Sequence, residues 1–265
     1  MKQFIRFMFE GEAAYGQITP EGVYRLEGSP FGPYGPGELA GDLDDLDLCI
    51  PLMPGKIIGV GLNYRDHAAE SGSEVPEEPI IFMKPTTTLI GPDEEIVLPP
   101  DVGRVDYEGE LAIVIGKTVF RPDPAEARRA IFGYTCANDV SARVLQRKDG
   151  QWVRAKGFDT FCPLGPIVNY DVDLGSRRII TRLNGEVRQD STLDQHVFDP
   201  DFLVWFISQV MTLHPGDVII TGTPSGVGPL QPGDVVDVEI EGFGTLRNPV
   251  VGTCEGVGYS DTAGA

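Results

Sequence analysis

No apolar run in the chain approaches the roughly 18 residues that a membrane span needs, so nothing points to a membrane-crossing segment. The opening stretch MKQFIRFMFEGE has neither the apolar h-region nor the small-residue cleavage site of a secretory signal. A cytoplasmic location is the expectation. Cysteine is sparse. Cys49, Cys136, Cys162 and Cys254 are scattered without a C-x-x-C pair, which argues against a disulfide framework and a thiolate zinc site. Basic residues are few: 21 Lys and Arg face 40 Asp and Glu, a net charge of −19. Such a surface repels nucleic acid and anionic lipid, which are both gripped by clustered Lys and Arg, so neither is expected as a partner. No internal repeat stands out at a period of roughly 20–50 residues.

What is present is an ordinary globular composition, 41% hydrophobic and 9% aromatic, which excludes disordered and collagen-like chains. The 265 residues can bury a substantial core as one large domain, or as one large and one small. Residues 1–55 alternate short β-like runs (Gln3–Phe9, Gly22–Leu26) with SPFGPYGPGELAG, which predicts a loop; PLMPG then punctuates the chain. A boundary near 55 separates a small N-terminal β domain, 1–55, from a larger domain, 56–265, whose tail from about 252 is small and polar. Beyond it Lys56–Gly61, Ile80–Lys84, Glu110–Gly116 and Asp217–Gly222 predict strands, and Arg178–Leu183 with Glu186–Gln189 flank an Asn184-Gly185 hairpin turn. Helices are expected from Asp199, with Pro200 in its first turn, and over Asp123–Ile131 and Val140–Gln146. Strands outnumber helices without regular alternation. The fold class is therefore α+β and β-rich, with mixed sheets, rather than a Rossmann fold or a TIM barrel.

Chemistry concentrates in a few places. Glu108 and Glu110 open the near-continuous apolar run ELAIVIG. Residues two apart on a strand share a face about 7 Å apart along the chain, and two buried carboxylates there need a cation. Asp139, in GYTCANDVSAR, is placed to add a third carboxylate from a neighbouring strand end. Three carboxylates without His or Cys form a hard oxygen site, suited to Mg²⁺, Mn²⁺ or Ca²⁺ rather than zinc. His67 and Glu70, three apart in NYRDHAAE, can meet on one helical turn. Arg143 and Gln146 follow Asp139 by four and seven residues, a spacing that predicts the same helical face as the metal and makes both candidate substrate contacts. The Gly-rich stretch TGTPSGVG (221–228) lacks the Lys-Ser/Thr ending of a P-loop, so nucleotide binding is disfavoured, yet its backbone N–H groups can cradle a carboxylate.

The segments GLNYRDHAAE, PIIFMKP, DYEGELAIVIGK, GYTCANDVSARVLQ, AKGFDTFCPLGP, NGEVRQ and GDVIITGTPSGVG, in this order over residues 56–250, resemble the fumarylacetoacetate hydrolase family, specifically its smaller bacterial and mitochondrial members. The resemblance implies a β-roll of mixed sheets, a homodimer, and metal ligands at Glu108, Glu110 and Asp139. It also implies a water-activating dyad of His67 and Glu70, an active-site Lys156, a substrate-carboxylate contact at Thr223, and a supporting Lys84. The first 55 residues match less specifically. The expected activity is divalent-metal-dependent chemistry on a small 2-oxo acid, either C–C hydrolysis of acylpyruvate-like substrates or decarboxylation of a β-keto acid such as oxaloacetate. The alternative is isomerisation of 2-hydroxyhepta-2,4-diene-1,7-dioate, as in catechol meta-cleavage. A silent, metal-stabilised binding protein is the non-enzyme reading, which the His–Glu pair and Lys156 disfavour.

Overall fold

The computed structural model describes residues 2–72 and 74–253; Cys254 and nearly all of the tail expected from about 252 lie outside the described residues. Strands β1 (Lys2–Phe9), β2 (Glu12–Thr19), β3 (Gly22–Gly28) and β4 (Tyr34–Gly41) form an antiparallel meander. The chain then enters β5 (Ile57–Gly61), helix α1 (Arg65–Ser71), β6 (Ile80–Lys84), and the short strands β7 (Leu89–Ile90), β8 (Ile96–Leu98) and β9 (Val105–Tyr107). Next come β10 (Gly109–Ile115), helix α2 (Pro124–Ala130), β11 (Ile131–Asn138), β12 (Ser141–Ala142), and helices α3 (Arg143–Asp149) and α4 (Val153–Lys156). The remainder is β13 (Cys162–Tyr170), the hairpin β14 (Arg178–Leu183) with β15 (Glu186–Thr192), helix α5 (Pro200–Val210), β16 (Val218–Ile220), β17 (Gly228–Pro229), β18 (Val235–Ile240) and β19 (Gly244–Gly252).

An 11-stranded sheet runs β4-β3-β2-β1-β13-β11-β10-β16-β5-β6, with β7 alongside β13. A five-stranded sheet, β15-β14-β18-β19-β8, packs on it, and β12-β9-β17 form a third. The pairs β16–β5, β13–β7 and β19–β8 are parallel and the others antiparallel, so the fold is the expected β-rich α+β arrangement of mixed sheets. Strand β10 lies at its centre, buried at every position. Its odd-numbered residues Leu111, Ile113 and Ile115 join a core with Ile179, Val238 and α5, whereas Ala112 and Val114 join another with Leu164 and Val218. Burial on both faces explains why this strand reads as an unbroken apolar run rather than an alternation. Among the described residues no helix is long and apolar enough to cross a membrane.

The local signals act as expected at the caps. Asp199 caps α5 by accepting Phe202 N–H at 2.8 Å, and Asp123 with Glu126 forms a capping box on α2. Asn184 (φ 54°) and Gly185 (φ 80°) both adopt the left-handed conformation that a type I′ hairpin demands. Two expectations need correction. The Pro/Gly-rich stretch is not all loop, because Tyr34–Gly41 forms β4. As an edge strand it has one partner, β3, and tolerates Pro36 and irregular register. The helix expected over Val140–Gln146 begins three residues later. Val140 N–H bonds Phe161 C=O and Ser141–Ala142 pairs with β9, so neighbouring strands claim that backbone before a helix can. Asp139 therefore precedes α3 rather than sharing its face with Arg143.

Candidate metal centre and active site

Glu108 sits in the break between β9 and β10, Glu110 at the second position of β10, and Asp139 just past the end of β11. The β10–β11 register, Gly109 opposite Asn138 and Glu110 opposite Ala137, brings the ends of these strands together. The junction is pinned twice more: Asp139 N–H donates to Glu108 C=O at 2.9 Å, and Glu108 N–H donates to Asn138 Oδ1 at 2.9 Å. All three carboxylates are buried, and each offers an oxygen within 4.8 Å of the others.

Three cations face them. Lys156, at the C-terminus of α4, donates to Glu108 Oε2 and Asp139 Oδ2, both at 2.6 Å. Lys84, at the end of β6, donates to Asp139 Oδ1 at 2.5 Å. Arg143 reaches Glu108 Oε1 at 2.6 Å and Asp106 Oδ2 at 2.8 Å, and also donates to Gln146 Oε1 at 2.9 Å. Burial alone would raise the Glu108 pKa, but Arg143 and Lys156 hold it below the usual carboxylate range. Burial would likewise lower Lys156, yet Asp139 and Glu108 outweigh it and keep the ammonium charged. Glu110 is compensated least. Burial, then Asp139 and Glu108, push it well above the usual range, against only Lys156 and the Gly222 N–H, which it accepts at 2.7 Å. A divalent cation would reverse that imbalance, so this all-oxygen set fits a hard metal ion.

His67 and Glu70 meet on α1, with Nδ1 3.3 Å from Oε2; both are partly exposed. Glu70 also accepts the Gly226 N–H at 3.2 Å from each oxygen, which ties α1 to the Gly-rich turn. In that turn Thr223 donates its hydroxyl to Gly109 C=O at 2.9 Å and accepts from Gln189 Nε2 at 2.8 Å. The structure thus brings together Glu108, Glu110, Asp139, Lys84, Lys156 and Arg143, with Gln146 behind Arg143. His67 and Glu70 form a second group joined to the first through the 222–226 turn. Sequence reasoning gave no role to Asn63, whose amide holds Thr221 C=O at 2.8 Å and Phe198 C=O at 3.0 Å. It also missed Asn138 and Gln189, although Gln189 stands in the NGEVRQ segment.

Residues 56–251 match the family model described as Fumarylacetoacetate (FAA) hydrolase C-terminal. The chain belongs to the fumarylacetoacetate hydrolase family. Like other members of that family it is an enzyme. An uncharacterized protein of Archaeoglobus fulgidus is 57% identical over 201 residues, covering 76% of this chain and 80% of the relative. The mitochondrial oxaloacetate tautomerase FAHD2A of Bos taurus is 46% identical over 210 residues, 75% of this chain and 67% of the bovine protein. The crystal structure of 2-hydroxyhepta-2,4-diene-1,7-dioate isomerase from Mycobacterium marinum superposes with a TM-score of 0.88 at 41% identity, covering 96% of this chain and 99% of that one. That of 5-carboxymethyl-2-hydroxymuconate delta-isomerase from Mycobacterium smegmatis gives 0.87 at 46% identity, covering 96% and 100%. The two solved structures, each matching 96% of this chain, extend over most of β1–β4 as well, whereas the two sequence relatives match about three quarters of it.

Proposed function

We propose that this enzyme holds Mg²⁺ or Mn²⁺, with Ca²⁺ as a poorer substitute, through Glu108, Glu110 and Asp139, and enolises a small 2-oxo acid. The observation that carries this reading is the convergence of three buried carboxylates, oxygens within 4.8 Å, with no His or Cys among them. A cation bound there would supply Lewis-acid stabilisation of negative charge on the substrate's oxo oxygen. The three carboxylates face Lys84, Lys156 and Arg143, so the protein part is close to neutral. Adding a divalent ion leaves two positive charges, which match a dianionic 2-oxo carboxylate. Lys156 is positioned to hold charge on a substrate oxygen beside Glu108 and Asp139. The Arg143–Gln146 pair and the Thr223 backbone N–H supply contacts for substrate carboxylates, the Thr223 hydroxyl hydrogen being given to Gly109 C=O, and Lys84 holds Asp139.

His67 is the group that moves protons. With Nδ1 engaged by Glu70, its Nε2 is left to take a proton from carbon α to the oxo group and return it elsewhere. The names of relatives at 41–46% identity, a tautomerase and two isomerases, support proton relocation as the reaction. A second reading, hydrolysis of acylpyruvates or decarboxylation of oxaloacetate, is favoured by the same His67–Glu70 contact, which suits activation of water. We place the catalytic unit at 56–265, since every residue named above lies there, with 1–55 as an accessory β domain. A cytoplasmic homodimer completes the proposal, supported by exposed Ile80 and Met83 on the edge strand β6.

The test is turnover of enol-oxaloacetate, oxaloacetate, acetylpyruvate and a hydroxymuconate-type diene, each with Mg²⁺ and with EDTA, alongside Mg²⁺ titration calorimetry. Glu110→Gln keeps the side-chain volume and an acceptor for Gly222 N–H but loses the charge. It should weaken Mg²⁺ by at least the roughly 10- to 100-fold typical of disturbing a metal's surroundings, with the fold retained. Unchanged Mg²⁺ binding in that variant removes Glu110 from the ligand set.

A further inference from the structure

The registered pairing of β16 with β10 ends at Ile220 opposite Ala112, and one further backbone bond runs from Thr221 N–H to Leu111 C=O at 3.0 Å. Past that point, on this edge of β10, side chains take over from the backbone ladder. Gly109 lies in this unladdered stretch, between the two glutamates. Its N–H donates to Gln189 Oε1 at 3.0 Å, and its C=O accepts the Thr223 hydroxyl at 2.9 Å. The ring closes because Gln189 Nε2 donates to Thr223 Oγ1 at 2.8 Å and to Pro224 C=O at 2.9 Å. Gln189 comes from β15, in the other sheet, and is 1% exposed. Both its amide oxygen and its amide nitrogen are therefore committed to one peptide and one turn. The fit leaves no slack: a Cβ on Gly109 would come 2.1 Å from Thr181 Oγ1 and 3.2 Å from Gln189 Oε1.

We propose that Gln189 is a positioning residue for the metal centre, which sets the span between the Glu108 and Glu110 carboxylates by gripping the Gly109 peptide groups between them. The inference rests on the metal reading given above. Rotating either peptide plane of Gly109 would swing one glutamate relative to the other, and the Gln189–Thr223 ring blocks both rotations. The Gln189 amide bonds Gly109, Thr223 and Pro224 rather than any of the three carboxylates. It acts through Gly109, so its loss should degrade the geometry of a site whose ligands are all still present. Outer partners of this kind typically alter metal affinity by about 10- to 100-fold.

The experiment compares wild type, Gln189→Met and a stability control, Ile207→Val in α5. Mn²⁺ alone is the probe, read by calorimetry and by the electron paramagnetic resonance line shape of the bound ion. Gln189→Met keeps the volume and removes all three hydrogen bonds. Mn²⁺ should bind it about tenfold or more weakly, with a broadened signal, whereas the control should lose thermal stability and keep wild-type affinity and line shape. If Gln189→Met does not fold, Thr223→Val and Thr223→Ser decide the matter in the same two readouts. The valine, without a hydroxyl for the ring, should be weakened and the serine should restore binding. Wild type that binds no Mn²⁺ overturns the metal reading and this proposal with it. Wild type that binds while the ring variants match it in affinity and line shape overturns this proposal alone.

Discussion

On the proposed chemistry, His67 is the residue at which the competing reactions separate. Decarboxylation of a β-keto acid consumes no water before CO₂ leaves, whereas C–C hydrolysis needs a water deprotonated by a base. If His67 serves mainly to activate water, His67→Ala should abolish acetylpyruvate hydrolysis and spare much of any oxaloacetate decarboxylation. If it shuttles a proton instead, enol–keto conversion should fall with hydrolysis, by the roughly 10²- to 10⁴-fold that general acid–base catalysis contributes. Equal loss of all three activities would sink both versions and leave His67 a role in substrate orientation. The convergence of the three carboxylates was legible at this scale because E-x-E at the head of a fully buried strand is an anomaly that demands compensating positive charge. Gln189 was not legible. Its importance depends on the β14–β15 hairpin packing across β10, and a separation of 80 positions between Gly109 and Gln189 carries no local sign of that meeting.

Between elements, His196 joins the short turn at Leu193–Gln195 to Thr221, just past the end of β16 and at the head of the Gly-rich turn. Its Nδ1 lies 2.7 Å from Leu193 C=O and its Nε2 3.0 Å from Thr221 Oγ1. A carbonyl can only accept, so Nδ1 carries the hydrogen and Nε2 of the neutral ring keeps its lone pair, facing a Thr221 hydroxyl whose single hydrogen can also go to Leu111 C=O, 3.0 Å from Oγ1. The Tyr64 ring covers the imidazole at 4.4 Å between centroids. Burial is the main reason its pKa falls to about 4; Arg65 adds to that, while the Leu193 contact, Asp199 and Asp66 oppose it. The folded pKa is thus depressed for a base. On acidification the unfolded chain takes up this proton near its ordinary 6.5, and the native state resists until about 4. Stability is therefore lost as pH falls through that window, by about 3 kcal/mol when complete, and levels off below it. Urea titrations of wild type and His196→Gln at pH 7 and pH 4.5 check this, since carboxylates contribute to both alike. An identical loss in the two proteins would refute it. Elements were legible where their signal is local, as in the capped helices α2 and α5 and the Asn184-Gly185 hairpin. They failed where partners decide: β4 exists because β3 offers it an edge, and α3 starts late because β9 takes Ser141 and Ala142 first.

At the scale of the whole molecule, a net charge of −19 means that folding gathers surplus carboxylates against their own repulsion. Two kinds of ion effect follow, and they differ in form. Monovalent salt screens the surface generally, with a Debye length of about 10 Å at 0.1 M, so NaCl should raise the melting temperature gradually and in any variant that keeps the surface. On the proposed metal reading Mg²⁺ adds a second effect at Glu108, Glu110 and Asp139, because a ligand that binds only the native state stabilises it by mass action. At a hundred times its dissociation constant that gain is about 2.7 kcal/mol. For a chain of this size each kcal/mol moves the midpoint by roughly 2–4 °C, so the binding contribution should reach about 5–10 °C. The measurement is thermal unfolding of wild type and Glu110→Gln in NaCl and MgCl₂ at matched ionic strength. Wild type should show the extra Mg²⁺ shift above the NaCl curve and saturate with concentration. Glu110→Gln should lose most of that extra shift and lie close to the NaCl curve, because the substitution is buried and leaves the surface charge unchanged while the carboxylate cluster is broken. If both proteins gain the same from Mg²⁺, the ion is acting on the acidic surface at large. The buried triad would then be an internal salt-bridge network closed by Lys84, Lys156 and Arg143 rather than a metal centre.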